Sequence, residues 1–271
     1  MLAAHLQAAV EAARAAGDLI RRALGRIDAY DTKSGPSDLV TEVDRASEDL
    51  IRRRLREAFP DVPVVGEEWA FGRDLDEELR RGPELWLVDP LDGTANFVHG
   101  LAASAVSIAL VRDGEPVVGV VYDPYRDELF TARAGEGAWL GDQRLRVGPC
   151  GRLADAMLAT GFPSQPAYRQ VAVDGVRALV PVIRNLRNFG SAATHLAYVA
   201  AGRLSGFWEV NLSPWDMAAG ALLVREAGGR VTDTLGRPYT AATRHIVATC
   251  GPIHDDLLRL LRDAGATGYG S

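Results

Sequence analysis

The sequence predicts a mixed α/β fold of stacked helix and sheet layers, and three features of its patterning carry that prediction. Residues 2–23 repeat apolar positions at steps of three and four. Residues 105–147 change to short β-forming runs separated by turn signals. Beyond Gly148-Pro149, strand-like and helix-like segments alternate to the end of the chain. A length of 271 residues fits one large layered domain or two fused lobes. No internal repeat, heptad array, low-complexity tract or long linker interrupts it. The expected organisation is therefore one compact unit, with an N-terminal lobe at 1–148 and a C-terminal lobe at 149–271.

Each element has a local cause. Leu2, Leu6, Val10, Ala13, Gly17 and Ile20 share one face of an amphipathic helix. Lys33-Ser34-Gly35-Pro36-Ser37 is loop-forming text. A second helix starts near Thr41, turns Val43, Leu50, Ile51 and Leu55 toward a core, and is stopped by Pro60. Pro63-Val64-Val65 and Leu85-Trp86-Leu87-Val88 are expected as short buried strands, with the charged stretch 73–81 exposed between them. Runs at 106–110, 117–122 and 129–132, with turns at Asp113-Gly114 and Asp123-Pro124, predict an antiparallel meander. Strands at 157–160, 206–210 and 246–250 then alternate with helices at about 167–180, 192–201, 215–227 and 253–263.

Composition removes several function classes. Hydrophobic residues at 47% and charged residues at 24% leave no case for disorder or a fibrous chain. With 36 acidic against 30 basic residues and a net charge of -6, no broad basic face is offered to nucleic acid, which is not an expected partner. Lys33 is the single lysine, and it lacks the upstream glycines of a phosphate-binding loop. Cys150 and Cys250 are too few for a disulfide scaffold, which suits a reducing cytoplasm. The start Met1-Leu2-Ala3-Ala4-His5 has no basic stretch before an apolar core, and no apolar run approaches the length of a membrane span. His5, His99, His195, His245 and His254 form no metal-ligand cluster, and neither a G-x-S-x-G elbow nor a dinucleotide glycine pattern occurs.

The densest chemical signal is Trp86-Leu87-Val88-Asp89-Pro90-Leu91-Asp92-Gly93-Thr94-Ala95-Asn96-Phe97. A buried strand ends in one aspartate, a proline fixes the turn, and a second aspartate follows three residues on. Two carboxylates brought together repel unless a cation neutralises them. Oxygen ligands favour a hard ion such as Mg²⁺. Gly93-Thr94 adds backbone N–H groups, and a helix starting there would suit a phosphate. The same segment also fits an Asp/Gly turn in which Asp92 or Thr94 caps a helix. Asp216, three residues after Ser213, completes a capping-box pattern, and Asp44 after Thr41 repeats it. Taken alone, Asp216 reads as a cap before it reads as a ligand, and Asp44 could simply help cap its helix. Gly66-Glu67-Glu68 reads alone as a solvated strand tip, Gly190-Ser191-Ala192-Ala193 as an anion site or a packing stripe, and Glu209 as a strand end.

Taken together these segments are not independent. Asp38-Leu39-Val40-Thr41 with Asp44, Gly66-Glu67-Glu68, the Trp86-to-Phe97 block, and Trp215-Asp216 with Ala218-Ala219-Gly220 and Gly228-Gly229 resemble, in order and over most of the chain, the inositol monophosphatase family. The resemblance implies an αβαβα sandwich and Mg²⁺-dependent hydrolysis of a phosphate monoester. It implies that Glu67, Asp89 and the Leu91 carbonyl hold one metal, that Asp89, Asp92 and Asp216 hold a second, and that a third leans loosely on Glu67. Mn²⁺ is a possible substitute. Asp44 and Thr94, with Glu67, would orient and deprotonate the attacking water, and the Gly93 and Thr94 N–H groups would hold phosphate oxygens. The leaving polyol would meet Asp92, Gly190, Ser191, Ala192, Glu209 and Asp216. Lithium sensitivity and a cytoplasmic homodimer are further implications.

The substrate expected first is myo-inositol 1-phosphate. Fructose 1,6-bisphosphate, histidinol phosphate and 3′-phosphoadenosine 5′-phosphate are the rivals that share such a metal motif. A different class is a regulatory protein that acts through RNA polymerase or RNA. The intact acidic set argues against it, because a pure binding module has little reason to tolerate clustered carboxylates.

Overall fold

Alternation within two sheets generates a sandwich of helix, sheet, helix, sheet and helix layers. The computed structural model describes residues 2–26, 29–33, 39–79 and 83–269. The loop expected at 34–37, Asp38 of the motif set, and Arg80 and Arg81 of the charged stretch lie outside the described residues.

The outer helical layer comprises α1 (Leu2–Ala23) and α2 (Glu42–Ala58), with the short hairpin β1 (Asp31–Thr32) and β2 (Leu39–Val40) between them. They cover a seven-stranded sheet in the order β3 (Val64–Gly66), β4 (Glu84–Asp92), β5 (Ala105–Arg112), β6 (Glu115–Asp123), β7 (Glu128–Arg133), β8 (Gly137–Leu140) and β9 (Gln143–Arg144). All its pairs beyond the parallel β3–β4 pair are antiparallel, so the predicted meander is present. The short helices α3 (Glu67–Ala70) and α4 (Leu75–Leu79) lie between β3 and β4, and α5 (Thr94–Val98) follows β4. The second sheet has the strands β10 (Met157–Ala159), β11 (Asn185–Arg187), β12 (Gly206–Glu209), β13 (Arg230–Asp233) and β14 (Ile246–Thr249), in the order β11-β10-β12-β14-β13. The helices α7 (Ala192–Ala200) and α8 (Pro214–Glu226) fill the space between sheets, while α6 (Pro166–Leu179) and α9 (His254–Asp263) cover the far face.

Strand periodicity sorts the cores. In β4, Trp86 and Val88 face the α1/α2 layer while Leu85 and Leu87 face the middle layer. In β12, Phe207 faces the middle layer and Trp208 the far one. The middle cluster takes residues from both sides of position 148, from Val65 to Ala248. Helices α7 and α8 are buried all round, which explains their small-residue content: Gly119 of β6 passes so close to α8 that a Cβ there would lie 2.8 Å from the Ala219 carbonyl oxygen. Gly119→Ala is therefore expected to cost about 1–3 kcal/mol, read as a lower urea midpoint at unchanged m-value; an unchanged midpoint would show that the layers part freely.

The short elements β1, β2 and α3 were not expected from the sequence, and three further departures have a local cause. The stretch 73–81, expected as simply exposed, contains α4, because Asp74 Oδ1 accepts the Glu77 N–H (3.2 Å) and Leu75 and Leu79 rest one turn apart on the middle core. Strands β11 and β13 were not expected. Both are sheet edges; β11 has no buried residue, and β13 buries Thr232 and Asp233 beside a single apolar residue, Val231, so neither shows an apolar run. Among the described residues no helix is long and apolar enough to cross a membrane.

Candidate active site

The first acidic pair comes from the C-terminal end of β4. Asp89 and Asp92, three apart, would point to opposite faces of a regular strand. Pairing with β5 runs through Asp89↔Ser107 and resumes at Asp92↔Ala105, so β4 carries one extra residue there, and this bulge cancels the alternation. It accommodates Pro90, which has no N–H to offer a ladder; Ser47 Oγ of α2 donates to the Pro90 carbonyl (3.0 Å). The Leu91 N–H donates to Asp89 Oδ1 (3.0 Å). Gly93 then turns the chain in the left-handed region (φ 101°), and α5 begins at Thr94. A Cβ at 93 would also lie 3.0 Å from the Gly190 carbonyl oxygen, so this turn and the Gly190 loop are in direct apposition.

Two aspartates serve as caps and as site residues together. Thr41 caps α2, and Asp44 closes the box by accepting from the Thr41 N–H (2.9 Å) and Oγ1 (2.5 Å) with Oδ2. Its other oxygen, Oδ1, accepts from Thr94 Oγ1 (2.8 Å). The Thr94 hydroxyl also lies 3.1 Å from the Leu91 carbonyl, and its single proton serves one acceptor at a time. At α8, Asp216 Oδ2 accepts the Ser213 N–H (2.8 Å) in a second capping box, which aims the carboxylate back at β4.

Electrostatics shows the convergence. Burial raises the Asp89 pKa well above the ordinary carboxylate range, and the charges of Glu67, Asp92 and Asp216 raise it further. Asp216 is raised for the same reasons, burial first and then Asp92 and Glu67. Asp92 is pushed to about 6 by burial, against the opposing pull of its bonds from Ser191 and Ala193. Both carboxyls of Asp89 and Asp216 therefore hold their protons to a higher pH than a free aspartate does. Buried carboxyls gathered from β4, α8 and the start of α3, with oxygen donors only, are a donor set suited to a hard divalent ion. Among the described residues no three such groups stand in finished ligand geometry.

The remaining predicted residues surround that centre. Ser191 Oγ (2.7 Å) and the Ala193 N–H (2.6 Å) both donate to Asp92 Oδ2, while Ser191 caps α7 by accepting the Thr194 N–H (3.2 Å). Gly190 is left-handed (φ 72°) and Ala192 opens α7. Glu209 ends β12 and is buried; burial and the charges of Asp216 and Asp92 raise its pKa well above normal. A Cβ at Gly161 would lie 2.3 Å from Glu209 Oε2, so that glycine leaves the space the carboxylate fills. A cleft of about 470 Å³ opens beside Glu67, Glu209 and Asp216, with Phe71 and Phe162 at its mouth. The segment between Glu209 and Pro214 turns through Asn211 (φ 61°), whose N–H donates to His245 Nδ1 (2.9 Å).

Sequence reasoning missed three contributors. Lys33 lies between Glu67 Oε1 (2.8 Å) and Glu68 Oε1 (2.5 Å). Its burial alone would lower its pKa, but the two carboxylates outweigh that and raise it. Asn96 Nδ2 donates to the Ala103 and Phe189 carbonyls (2.7 Å each), tying the turn after β4 to the Gly190 loop. His195 Nε2 accepts the Phe189 N–H (2.8 Å) and is held neutral by burial, its pKa down at about 3. The uniqueness of Lys33 was visible; nothing in the sequence signalled the bonds of Asn96 or His195.

Comparison with known proteins bears on the same set. The model of the inositol monophosphatase family matches residues 1–266. The chain belongs to the inositol monophosphatase family. An inositol-1-monophosphatase of Rhizobium meliloti is 43% identical over 254 residues, 93% of this chain and 92% of that one. Nus factor SuhB of Pseudomonas aeruginosa is 45% identical over 251 residues, 90% of each chain. Among solved structures, the IMPase of Thermotoga maritima superposes with a TM-score of 0.87 at 35% identity, covering 96% of this chain and 98% of that one. As a member of this phosphatase family, which is generally Mg²⁺-dependent and lithium-sensitive, the chain has the αβαβα fold expected of it.

Proposed function

We propose that this family member hydrolyses myo-inositol 1-phosphate to inositol and phosphate, with Mg²⁺ held by Glu67, Asp89, Asp92, Asp216 and the Leu91 carbonyl. The observation that carries the reading is the position of Asp92. One carboxylate stands in the field of Glu67 and Asp89 and at the same time accepts from Ser191 and Ala193, so the metal side and the polyol side of the cleft meet in one side chain. When bound, Mg²⁺ supplies activation of water and neutralisation of phosphate charge.

The chain's own residues do the rest. Thr94, fixed by Asp44, presents its hydroxyl toward the Leu91 carbonyl and can pass a proton from an attacking water to the Asp44 carboxylate. The Gly93 and Thr94 N–H groups, at the start of α5, are the preorganised donors for phosphate oxygens. Glu209 and the Ser191 hydroxyl receive the ring hydroxyls of the leaving polyol. The reading carries with it a cytoplasmic homodimer in which the lobes at 1–148 and 149–271 work as one unit.

Release of phosphate from inositol 1-phosphate, fructose 1,6-bisphosphate, histidinol phosphate and 3′-phosphoadenosine 5′-phosphate, with Mg²⁺ and then with chelator, tests it. Inositol 1-phosphate is expected to be preferred and every activity to vanish with chelator; preference for a rival reassigns the substrate. Glu209→Gln is expected to lower kcat/KM for inositol 1-phosphate by roughly 10–100-fold, the value of a hydrogen bond to a charged group, and to leave p-nitrophenyl phosphate, which has no ring hydroxyls to offer, nearly unaffected. Equal losses on both would remove Glu209 from the alcohol site. Because relatives carry the name Nus factor, a regulatory role through RNA polymerase or RNA is the second reading. Cellular function retained by an inactive variant would favour it.

A further inference from the structure

We infer that Glu48 is a positioning residue of the metal centre, which holds Glu67 in place by gripping the backbone that follows it. Glu48 sits on α2 one turn beyond Asp44 and so on the same face of the helix. It is 3% exposed, and its nearest positive partner is Arg52, with Nη1 3.7 Å away. Its oxygens are committed elsewhere: Oε2 accepts the Glu68 N–H (2.7 Å) and Oε1 the Trp69 N–H (3.0 Å). Those are the first-turn amides of α3, whose own N-cap, Gly66, has no side chain to satisfy them. A carboxylate from a different helix therefore caps α3 immediately after Glu67.

Gly66 completes the device. Its φ of -107° is open to any residue, so glycine is not required there for conformation. It is required for space, since a Cβ would lie 2.4 Å from the Glu48 carboxyl carbon. Arg52 Nη1, in turn, donates to the Val64 carbonyl (2.9 Å), which fixes β3 from the same helix. Asp44 and Glu48 thus let one face of α2 set two parts of the site, Thr94 directly and Glu67 through its backbone. In the sequence, Ser47-Glu48-Asp49 looks like ordinary solvated helix charge, and only the burial separates Glu48 from Asp49.

The inference rests on the assignment of Glu67 to the metal centre. Mn²⁺ binding to the full chain, followed by the paramagnetic resonance of free Mn²⁺, tests both separately. Glu48→Gln keeps the volume but turns an amide NH₂ toward one of the two N–H donors, and is expected to weaken Mn²⁺ binding about 10–100-fold, as loss of an outer partner of a metal ligand does, with circular dichroism unchanged. Gly66→Ala, which displaces the carboxylate without altering it, should give the same loss and carries the test if Glu48→Gln does not fold. Parental Mn²⁺ affinity and stoichiometry in the folded variant would overturn the role of Glu48 and leave the metal site standing. A parent chain that binds no Mn²⁺ would overturn the site and the role together.

Discussion

Asp89→Asn is expected to reduce phosphatase activity by about a thousandfold or more and, in the presence of chelator, to melt above the parent. The two halves follow from the same position. Asp89 is buried at the β4 bulge among the charges of Glu67, Asp92 and Asp216, and under the proposed function it would hold Mg²⁺ with them, so its loss should exceed the 10–100-fold typical of an outer partner. Asparagine keeps the size of the side chain, and its carbonyl oxygen can still accept the Leu91 N–H. It removes a carboxyl whose ionisation burial and neighbouring charges oppose, and with it the cost of taking up a proton on folding at neutral pH, so the metal-free fold is relieved. Steady-state phosphate release with saturating Mg²⁺ and thermal scans in chelator give the two readouts. Retention of more than about a tenth of parental activity would remove Asp89 from the proposed ligand set.

The layered fold was legible because burial is periodic. Trp86 and Val88 against Leu85 and Leu87 already separate two cores in the linear text, and the turns around the meander announce themselves at Asp113-Gly114 and Asp123-Pro124. The edge strands β11 and β13 were not legible, since an edge has less apolar surface to advertise. In the site, local spacing exposed the capping boxes of Asp44 and Asp216, and taken singly those patterns read as caps before ligands. In the structure each carboxylate caps its helix and is oriented by the cap, Asp44 onto Thr94 and Asp216 into the field of Asp89 and Asp92, so capping leaves room for the proposed ligand role. What spacing could not supply are contacts made across long separations in the chain. The bonds from Asn96 to Phe189, Ser191 to Asp92 and Glu48 to the amides of α3 depend on where whole layers dock.

The metal-free protein is expected to lose thermal stability as pH rises from about 5 to about 7.5, and saturating Mg²⁺ to remove that loss. The direction follows from proton uptake. Asp92 titrates near 3.8 when free and at about 6 in the fold, Glu68 near 4.5 when free and at about 7 in the fold, and Asp89, Asp216 and Glu209 are raised in the same sense. Between the free and folded values the native state binds protons that the unfolded chain has released, so unfolding releases protons and rising pH favours it. Stability from these groups is complete below the free values and is lost as pH climbs through the folded ones. A divalent ion held by these residues would displace their protons and favour ionised ligands, which would move their folded values down and turn the slope round. Mg²⁺ at a hundred times its dissociation constant adds about 2.7 kcal/mol per site, or roughly 5–10 °C for a chain of this size. Scans at about pH 5 and about pH 7.5, each with chelator and with MgCl₂, separate the effects, because the gain from Mg²⁺ should be larger at the higher pH. A metal-free midpoint that rises over this interval, or one indifferent to Mg²⁺ at about pH 7.5, would mean that these carboxylates are neutralised by groups of the chain itself.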